Sequence, residues 1–265
     1  SSFYSPIIAG IEEELNKFKY YFMFHSVPKE GFDLSRINNN FNFNDLAGVL
    51  MVGVYHDDFV IKLKNIGIPL VLLDYYIPTE NIKAILIDNT DGILKACKYL
   101  KSLGHEAVAF IGGDSMETAA EERFYGYLKG VESYGFLRDE SLIVRNCKSR
   151  VDEGFRAANI ILDRSVKPTA ILVYNDLIAV GVMDAVKQRG LSIPGDMSII
   201  GFDDISIASE VNPTLTTNRV PKQEMGRVAV RNLIHSIDGE DDLVYKTLMA
   251  TELVIRDSTS TPGSK

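Results

Sequence analysis

Apolar positions along the chain recur with two different spacings, and the way those spacings alternate predicts the architecture. Ile7, Ile11, Leu15 and Phe18 fall four, four and three apart, which lays one apolar stripe along a helix near residues 5–18. Ile93, Cys97, Leu100 and Leu103 repeat the pattern near 91–103, and Gly104 follows where a helix end favours a left-handed residue. Phe124, Leu128 and Val131, then Ala179, Met183 and Val186, then Met225, Val228 and Leu233 mark three more helices, with Gly190 closing the second of these. Between the helices stand runs that are apolar at nearly every position: Tyr21–Phe24, Gly48–Val52, Pro69–Leu73, Ala84–Ile87, Ala107–Ile111, Ala170–Tyr174 and Ser198–Phe202. A run without polar alternation suits a strand covered on both faces. Such strands alternating with helices imply right-handed parallel crossovers and an α/β doubly wound sheet, and 265 residues divide naturally into two of them.

Five of the apolar runs end in a carboxylate or amide: Asp74, Asp88, Asp114, the pair Asn175-Asp176 and the pair Asp203-Asp204. In open parallel sheets the ligand crevice lies beyond the carboxyl ends of the strands, so these groups are candidates for one binding site. Helix N-capping is the competing reading, because Asp and Asn are preferred caps. Roughly half of the positions are assigned to capping, Asp176 above all, since a helix of good periodicity begins just after it.

Charge narrows the picture. The chain carries 36 acidic against 28 basic residues, a net charge of −8, which excludes a broad phosphate-binding surface made from these residues. Its two cysteines, Cys97 and Cys147, lie in no zinc or redox spacing, which suits a reducing compartment. Apolar stretches such as Ile68–Leu73 are far shorter than the roughly 20 residues that span a bilayer. The start, Ser-Ser-Phe-Tyr-Ser-Pro, has neither the basic residues nor the apolar run of a secretory leader, and no initiating Met, so it reads as the interior of a longer protein. Phosphate-loop, dinucleotide, nucleophile-elbow and zinc-helix motifs are all missing. His56-Asp57-Asp58 is read as a helix start, not a metal site; His105 as a cap or dipole partner at a helix end; His25 and His235 as isolated.

The stretch from Pro168 to Asp204, containing Tyr174-Asn-Asp-Leu-Ile-Ala-Val-Gly181 and Ile200-Gly-Phe-Asp-Asp204, closely resembles the effector-binding domain of the LacI/GalR (lactose-repressor) family of transcription regulators. Four further signatures follow that family's order. They are Asp88-Asn-Thr-Asp-Gly92, Leu103-Gly-His-Glu-Ala-Val-Ala-Phe-Ile-Gly-Gly113, Pro213-Thr-Leu-Thr-Thr217 leading to Met225-Gly226, and Glu252-Leu-Val-Ile-Arg-Asp-Ser-Thr259. The resemblance covers nearly the whole chain. It implies two doubly wound parallel-sheet subdomains, like those of periplasmic sugar-binding proteins, joined by three crossovers with the ligand between them. The expected subdomains are 1–104 with 221–240 and 105–220 with 241–265. The family's DNA-binding segment, and the strand that normally precedes the first helix, have no counterpart here; the expectation is a fragment whose sheet edge is left open.

Residue by residue, the resemblance implies that Arg123 reaches the ligand from a helix of the second subdomain, where its fork of donors suits vicinal hydroxyls, a carboxylate or a phosphate. Asn175 and Asp203 match cleft positions at strand ends, and Asp91 is a weaker match in the first subdomain. Phe3 and Tyr4 match an aromatic pair that covers the apolar face of a sugar or base. Leu172 stands where some relatives place a pocket aromatic. Read from the residues alone, an aromatic pair is more often core, and Arg123 pairs with Glu121 or Glu122 on the surface.

The function implied is an effector-sensing, dimerising domain of a transcriptional regulator, expected to be a repressor, which binds a sugar or related metabolite and no metal or cofactor. Ligand would favour one relative arrangement of the subdomains and shift a population. The expected partners are a second copy of the chain and, through an N-terminal segment outside this sequence, an operator DNA; the expected compartment is the cytoplasm. A periplasmic sugar-binding transport protein is the alternative, and an enzyme of the doubly wound class ranks third.

Overall fold

The structure is a computed structural model and describes residues 2–28, 45–240 and 243–263. It resolves into two compact units, Ser1–Ile87 with Pro221–Met249, and Asp88–Val220 with Ala250–Lys265. The chain therefore passes from one unit to the other three times. The boundaries differ from the expected ones by a helix and a strand. The helix over Asn89–Ser102 packs within the second unit, and the strand over Lys246–Met249 belongs to the first. Residues 241 and 242, at one expected boundary, lie outside the described residues.

The first unit holds β1 (Val49–Val52), β2 (Leu70–Leu73), β3 (Lys83–Ile87) and β9 (Lys246–Met249), all paired in parallel in that order. Met51, Leu72, Ala84 and Leu86 form a core with Phe59, Val60 and Leu63 of α2 (Asp57–Lys64). The alternate residues Val71, Leu73 and Ile85 are equally buried, and α8 (Lys222–Ile237) packs on β2 and β3 from the other side. Coverage on both faces is why these strands read as unbroken apolar runs. Against α8 lies α1 (Tyr4–Leu15), so closely that a Cβ on Gly10 would stand 2.0 Å from the Gln223 carbonyl oxygen.

One expected strand is not there. Residues 20–28 carry no regular structure, and Tyr21, Met23 and Phe24 are 104%, 59% and 65% exposed. Among the described residues β1 is the terminal strand of its sheet and pairs only with β2. With no described strand beside it, the Tyr21–Phe24 run lacks the hydrogen-bonding neighbour that an apolar strand requires. Tyr21, Phe22 and Met23 instead line a cavity of about 490 Å³ together with Leu50, Tyr55 and Leu233.

The second unit orders six strands β10-β8-β7-β6-β4-β5. These are β4 (Val108–Ile111), β5 (Ile143–Val144), β6 (Ala170–Val173), β7 (Ser198–Asp203), β8 (Thr216–Arg219) and β10 (Glu252–Val254). Only β10 runs antiparallel to its neighbour. Ala109, Ile111, Ile171, Val173 and Ile199 face α5 (Val151–Leu162) and α6 (Asp176–Gln188). The opposite face carries Phe110 in register with Leu172, and Leu172 in register with Ile200. There Phe110 stacks on Tyr127 of α4 (Thr118–Tyr134) at 4.9 Å, and α4 packs on α3 (Asn89–Ser102).

The helix α4 shows a phase error in the sequence reading. Its buried stripe is Ala120, Arg123, Tyr127 and Val131, while Leu128 is 41% exposed and Phe124 is half-buried. Tyr127 stays inside because its hydroxyl donates to the Val108 carbonyl at 2.9 Å. His105 also departs from expectation. Its backbone amide closes the helix end on the Leu100 carbonyl at 3.1 Å, but its fully buried ring does no capping and spans Thr169 Oγ1 at 2.8 Å and the Ser260 carbonyl at 3.0 Å. A carbonyl only accepts, so Nε2 carries the proton and Nδ1 accepts from Thr169. Burial lowers the His105 pKa below the ordinary histidine value.

Candidate functional site

Arg123 is inward because α4 turns residues 123, 127 and 131 toward the sheet, four apart on one face. It is 3% exposed. A buried guanidinium needs acceptors for its donors, and the strand ends of the second unit supply them. Nε donates to Asn89 Oδ1 at 2.8 Å, one terminal nitrogen to the Tyr174 carbonyl at 2.6 Å, and the other to Asp203 Oδ1 at 3.2 Å. The flat cation lies 3.7 Å from the centre of the Phe202 ring and 4.7 Å from that of Tyr174. The reading of Arg123 as a surface partner of Glu121 or Glu122 is thereby corrected. Glu121 pairs with Arg145, and Glu122 accepts from Asn89 Nδ2 at 2.8 Å.

Asp203 closes β7 at the start of a tight turn. Its φ is +107° and that of Asp204 is +50°, both in the region that side-chain-bearing residues seldom occupy. Asp204 is gripped by Arg219 at 2.7 Å and Arg256 at 2.6 Å. Burial alone would raise its carboxyl pKa, but those two guanidinium contacts outweigh it and hold the group below its ordinary value. Asp176, fully buried, accepts from the Ile205 amide at 2.9 Å and from Thr217 Oγ1 at 2.6 Å. Burial first, and the neighbouring Asp203 charge second, push its pKa up to about 8.

Capping falls to Asn175 and not to Asp176. Asn175 Oδ1 accepts the Ile178 amide at 3.0 Å, as an N-cap does, while its Nδ2 donates to Ser149 at 2.8 Å. Asp88 caps α3 in the same way, accepting the Asp91 amide at 3.0 Å. His56 occupies the N-cap position of α2 without a side-chain cap bond.

The structure brings Arg123 and Asp203 into contact and places Asn175 next to Tyr174, whose carbonyl Arg123 holds. Asp91 stands apart from that pair, on the half-exposed first turn of α3, ion-paired with Lys95 at 2.6 Å. It belongs to the second unit, not the first. Leu172 is 1% exposed in mid-strand, a core side chain with no surface left for a ligand. Phe3 and Tyr4 open α1 in the first unit, edge to face at 5.0 Å, half-buried, with Lys222 5.8 Å from the Phe3 ring. Sequence reasoning missed Asn89 and the Tyr174 carbonyl; an amide directly after the strand-ending Asp88 was the available signal for the first. Neither thiol is poised for chemistry: burial pushes Cys97 up to about 12 and raises Cys147 as well. Among the described residues no group of three or more His, Cys, Asp or Glu side chains is arranged to hold a metal.

The family described as a periplasmic binding protein-like domain matches residues 97–259. The HTH-type transcriptional regulator DegA of Bacillus subtilis is 31% identical over 262 residues, which are 97% of this chain and 77% of DegA. This chain belongs to the LacI family of transcriptional regulators. The ribose operon repressor of Haemophilus influenzae is 30% identical over 260 residues, 97% of this chain and 77% of the repressor. Among solved structures, the complex of the regulator CelR with cellobiose matches with a TM-score of 0.87 at 27% identity, over 97% of this chain and 79% of that one. A LacI family regulator from Mycobacterium smegmatis matches with a TM-score of 0.85 at 26% identity, over 98% and 96% of the two chains. Within the LacI family this chain is the effector-binding domain, and the family's members regulate transcription; they are not transporters or enzymes. No described helix is long and apolar enough to cross a membrane.

Proposed function

We propose that this LacI-family domain senses a neutral sugar at the carboxyl ends of the second unit's strands, with Arg123 and Asp203 as its central contacts. The observation that carries the reading is their pairing at 3.2 Å. A vicinal diol presents donors and acceptors side by side; one hydroxyl accepts from the guanidinium while it or its neighbour donates to the carboxylate. The pair is neutral as a unit, so a sugar meets matched hydrogen-bonding groups. A phosphate would meet the Asp203 charge beside the arginine. CelR's structure contains cellobiose, and that is support for the ligand class by kinship alone. Asn175 extends the same polar row from its helix cap.

As a regulator the domain acts as a homodimer in the cytoplasm, represses in one effector state, and reaches operator DNA through an N-terminal segment outside this sequence. Effector binding shifts the population between two states only through differential affinity for them.

A thermal-shift screen across neutral sugars, sugar phosphates and nucleobases tests the ligand class. A binder at a hundred times its Kd adds about 2.7 kcal/mol of stability. A shift with neutral sugars that is lost in Asp203→Asn supports the reading. A shift only with phosphorylated compounds or nucleobases, or one that survives Asp203→Asn, overturns it. Sedimentation equilibrium that finds only monomer at high concentration overturns the homodimer.

A further inference from the structure

We propose that Asp176 is a positioning residue for the Arg123–Asp203 site: its buried carboxyl fixes the turn Asp203-Asp204-Ile205 and with it the direction of the Asp203 side chain. The inference rests on the sugar-sensing reading for its functional meaning, but its geometry stands alone. Asp176 is the first residue of α6, yet it does no capping, since Asn175 performs that task. Its side chain is directed into the sheet. There it meets the two elements that hold the turn, the segment after β7 and strand β8.

Two backbone amides of the turn depend on it. The Ile205 amide donates directly to Asp176 Oδ2 at 2.9 Å. The Asp204 amide reaches Thr217 Oγ1 at 3.4 Å, and that hydroxyl donates to Asp176 Oδ1 at 2.6 Å. One carboxyl thus ties down the residues immediately following Asp203. Such ties are needed there because successive non-glycine residues at φ +107° and +50° persist only where their surroundings hold them. β7 is shaped for this carboxyl. A Cβ on Gly201 would stand 2.3 Å from Asp176 Oδ1, so glycine two residues before Asp203 leaves the room that Asp176 fills.

The charged groups around it act on the same turn. The charges of Asp203 and Asp204 both act on Asp176, while Arg123 on α4 pairs with Asp203, and Arg219 on β8 and Arg256 after β10 pair with Asp204. The turn is thus held through its amides by Asp176 and Thr217 and through its carboxylates by three arginines.

The test compares Asp176→Ala, Asp176→Asn and Thr217→Val with the wild-type chain, first without any ligand. Asn retains an acceptor for Ile205 and a donor toward Thr217. Amide hydrogen exchange at Ile205 should accelerate ~tenfold or more in Asp176→Ala, the loss of about one buried hydrogen bond, and the Arg123 side-chain N–H resonances should move. Exchange at Ile171 and Val173 in mid-sheet should stay as in wild type, and Asp176→Asn should restore both signals. Should Asp176→Ala not fold, Thr217→Val carries the test, with faster exchange at Asp204 expected. Unchanged Ile205 and Arg123 signals, or acceleration spread evenly through the sheet, overturns the proposal. D-ribose and cellobiose titrations then read function: a sugar bound by wild type should weaken ~tenfold in Asp176→Ala and by less than about threefold in Asp176→Asn. Wild type binding neither probe counts against the sugar reading and leaves the exchange result to decide this one; binding unaffected in Asp176→Ala refutes the positioning role.

Discussion

Removing Arg123 should cost the second unit far more stability than a surface arginine would. At 3% exposure it joins α4 to α3 through Asn89, to the end of β6 through Tyr174, and to the end of β7 through Asp203. Breaking one side of a buried ion pair typically costs about 3–5 kcal/mol, because the remaining charge loses its compensation. The ring contacts to Phe202 and Tyr174 add roughly 1–2 kcal/mol in a desolvated setting, part of which a Met at 123 would recover by packing. Arg123→Ala is therefore expected to lower stability by about 3–5 kcal/mol, which for a chain of this size is a fall in Tm of roughly 6–20 °C. Circular dichroism melts of wild type, Arg123→Ala, Asp203→Asn and the double variant measure it. The two single losses should fail to add, with a coupling of about 1–3 kcal/mol. An Arg123→Ala loss under about 1 kcal/mol, or additive variants, would refute the claim that the pair works as one unit. The same result bears on binding experiments, since Arg123→Ala changes fold and ligand contact together, whereas Asp203→Asn keeps a similar shape.

Three other outcomes follow from buried polar groups. Asn218 on β8 is fully buried, and among the described residues neither of its amide atoms has a hydrogen-bond partner, so Asn218→Val should raise stability by about 1–3 kcal/mol in urea unfolding; a loss would contradict this. Asp176, at about 8 when folded against an ordinary carboxylate when unfolded, binds a proton that the unfolded chain has released. Its contribution to stability is greatest below the ordinary carboxylate range and is lost as pH rises through about 8; Asp176→Asn should flatten that decline, and an unaltered slope between about pH 5 and 9 would argue against it. His105 has the opposite sign: its lowered pKa means stability present above the ordinary histidine value and lost as pH falls through the folded one, which imidazole NMR beside acid unfolding can follow.

Helices and inner strands were legible because both depend on one-dimensional spacing. Ala179, Met183 and Val186 are all buried as their period requires, and Gly104 and Gly190 follow their helices at φ +93° and +73°. The phase of α4 was not legible, because hydropathy assigns an arginine to water, and only the acceptors at Asn89, Tyr174 and Asp203 reverse that assignment. β8 was missed for a related reason. Thr216, Thr217 and Asn218 are fully buried, and the two threonines satisfy their hydroxyls with side chains and carbonyls far along the chain. Tyr21–Phe24 shows the converse, an apolar run whose state depends on a neighbour. Spacing cannot tell which of Asn175 and Asp176 caps α6, because adjacent residues of similar chemistry differ only in the direction they take. Arg123 and Asp203 were identified through family resemblance, and their contact through structure.

The three passages of the chain between the units have a consequence for biosynthesis. A ribosome releases residues in order, and residues 246–260 add to both sheets: β9 joins the first, while β10 and the segment holding Ser258 and Ser260 join the second. Ser258 alone donates to the Ile199 carbonyl and accepts the Thr216 amide, stitching two central strands. Neither sheet can reach its described form on a nascent chain that has emerged only as far as 245, so loss of the residues after that point should damage two folding units at once.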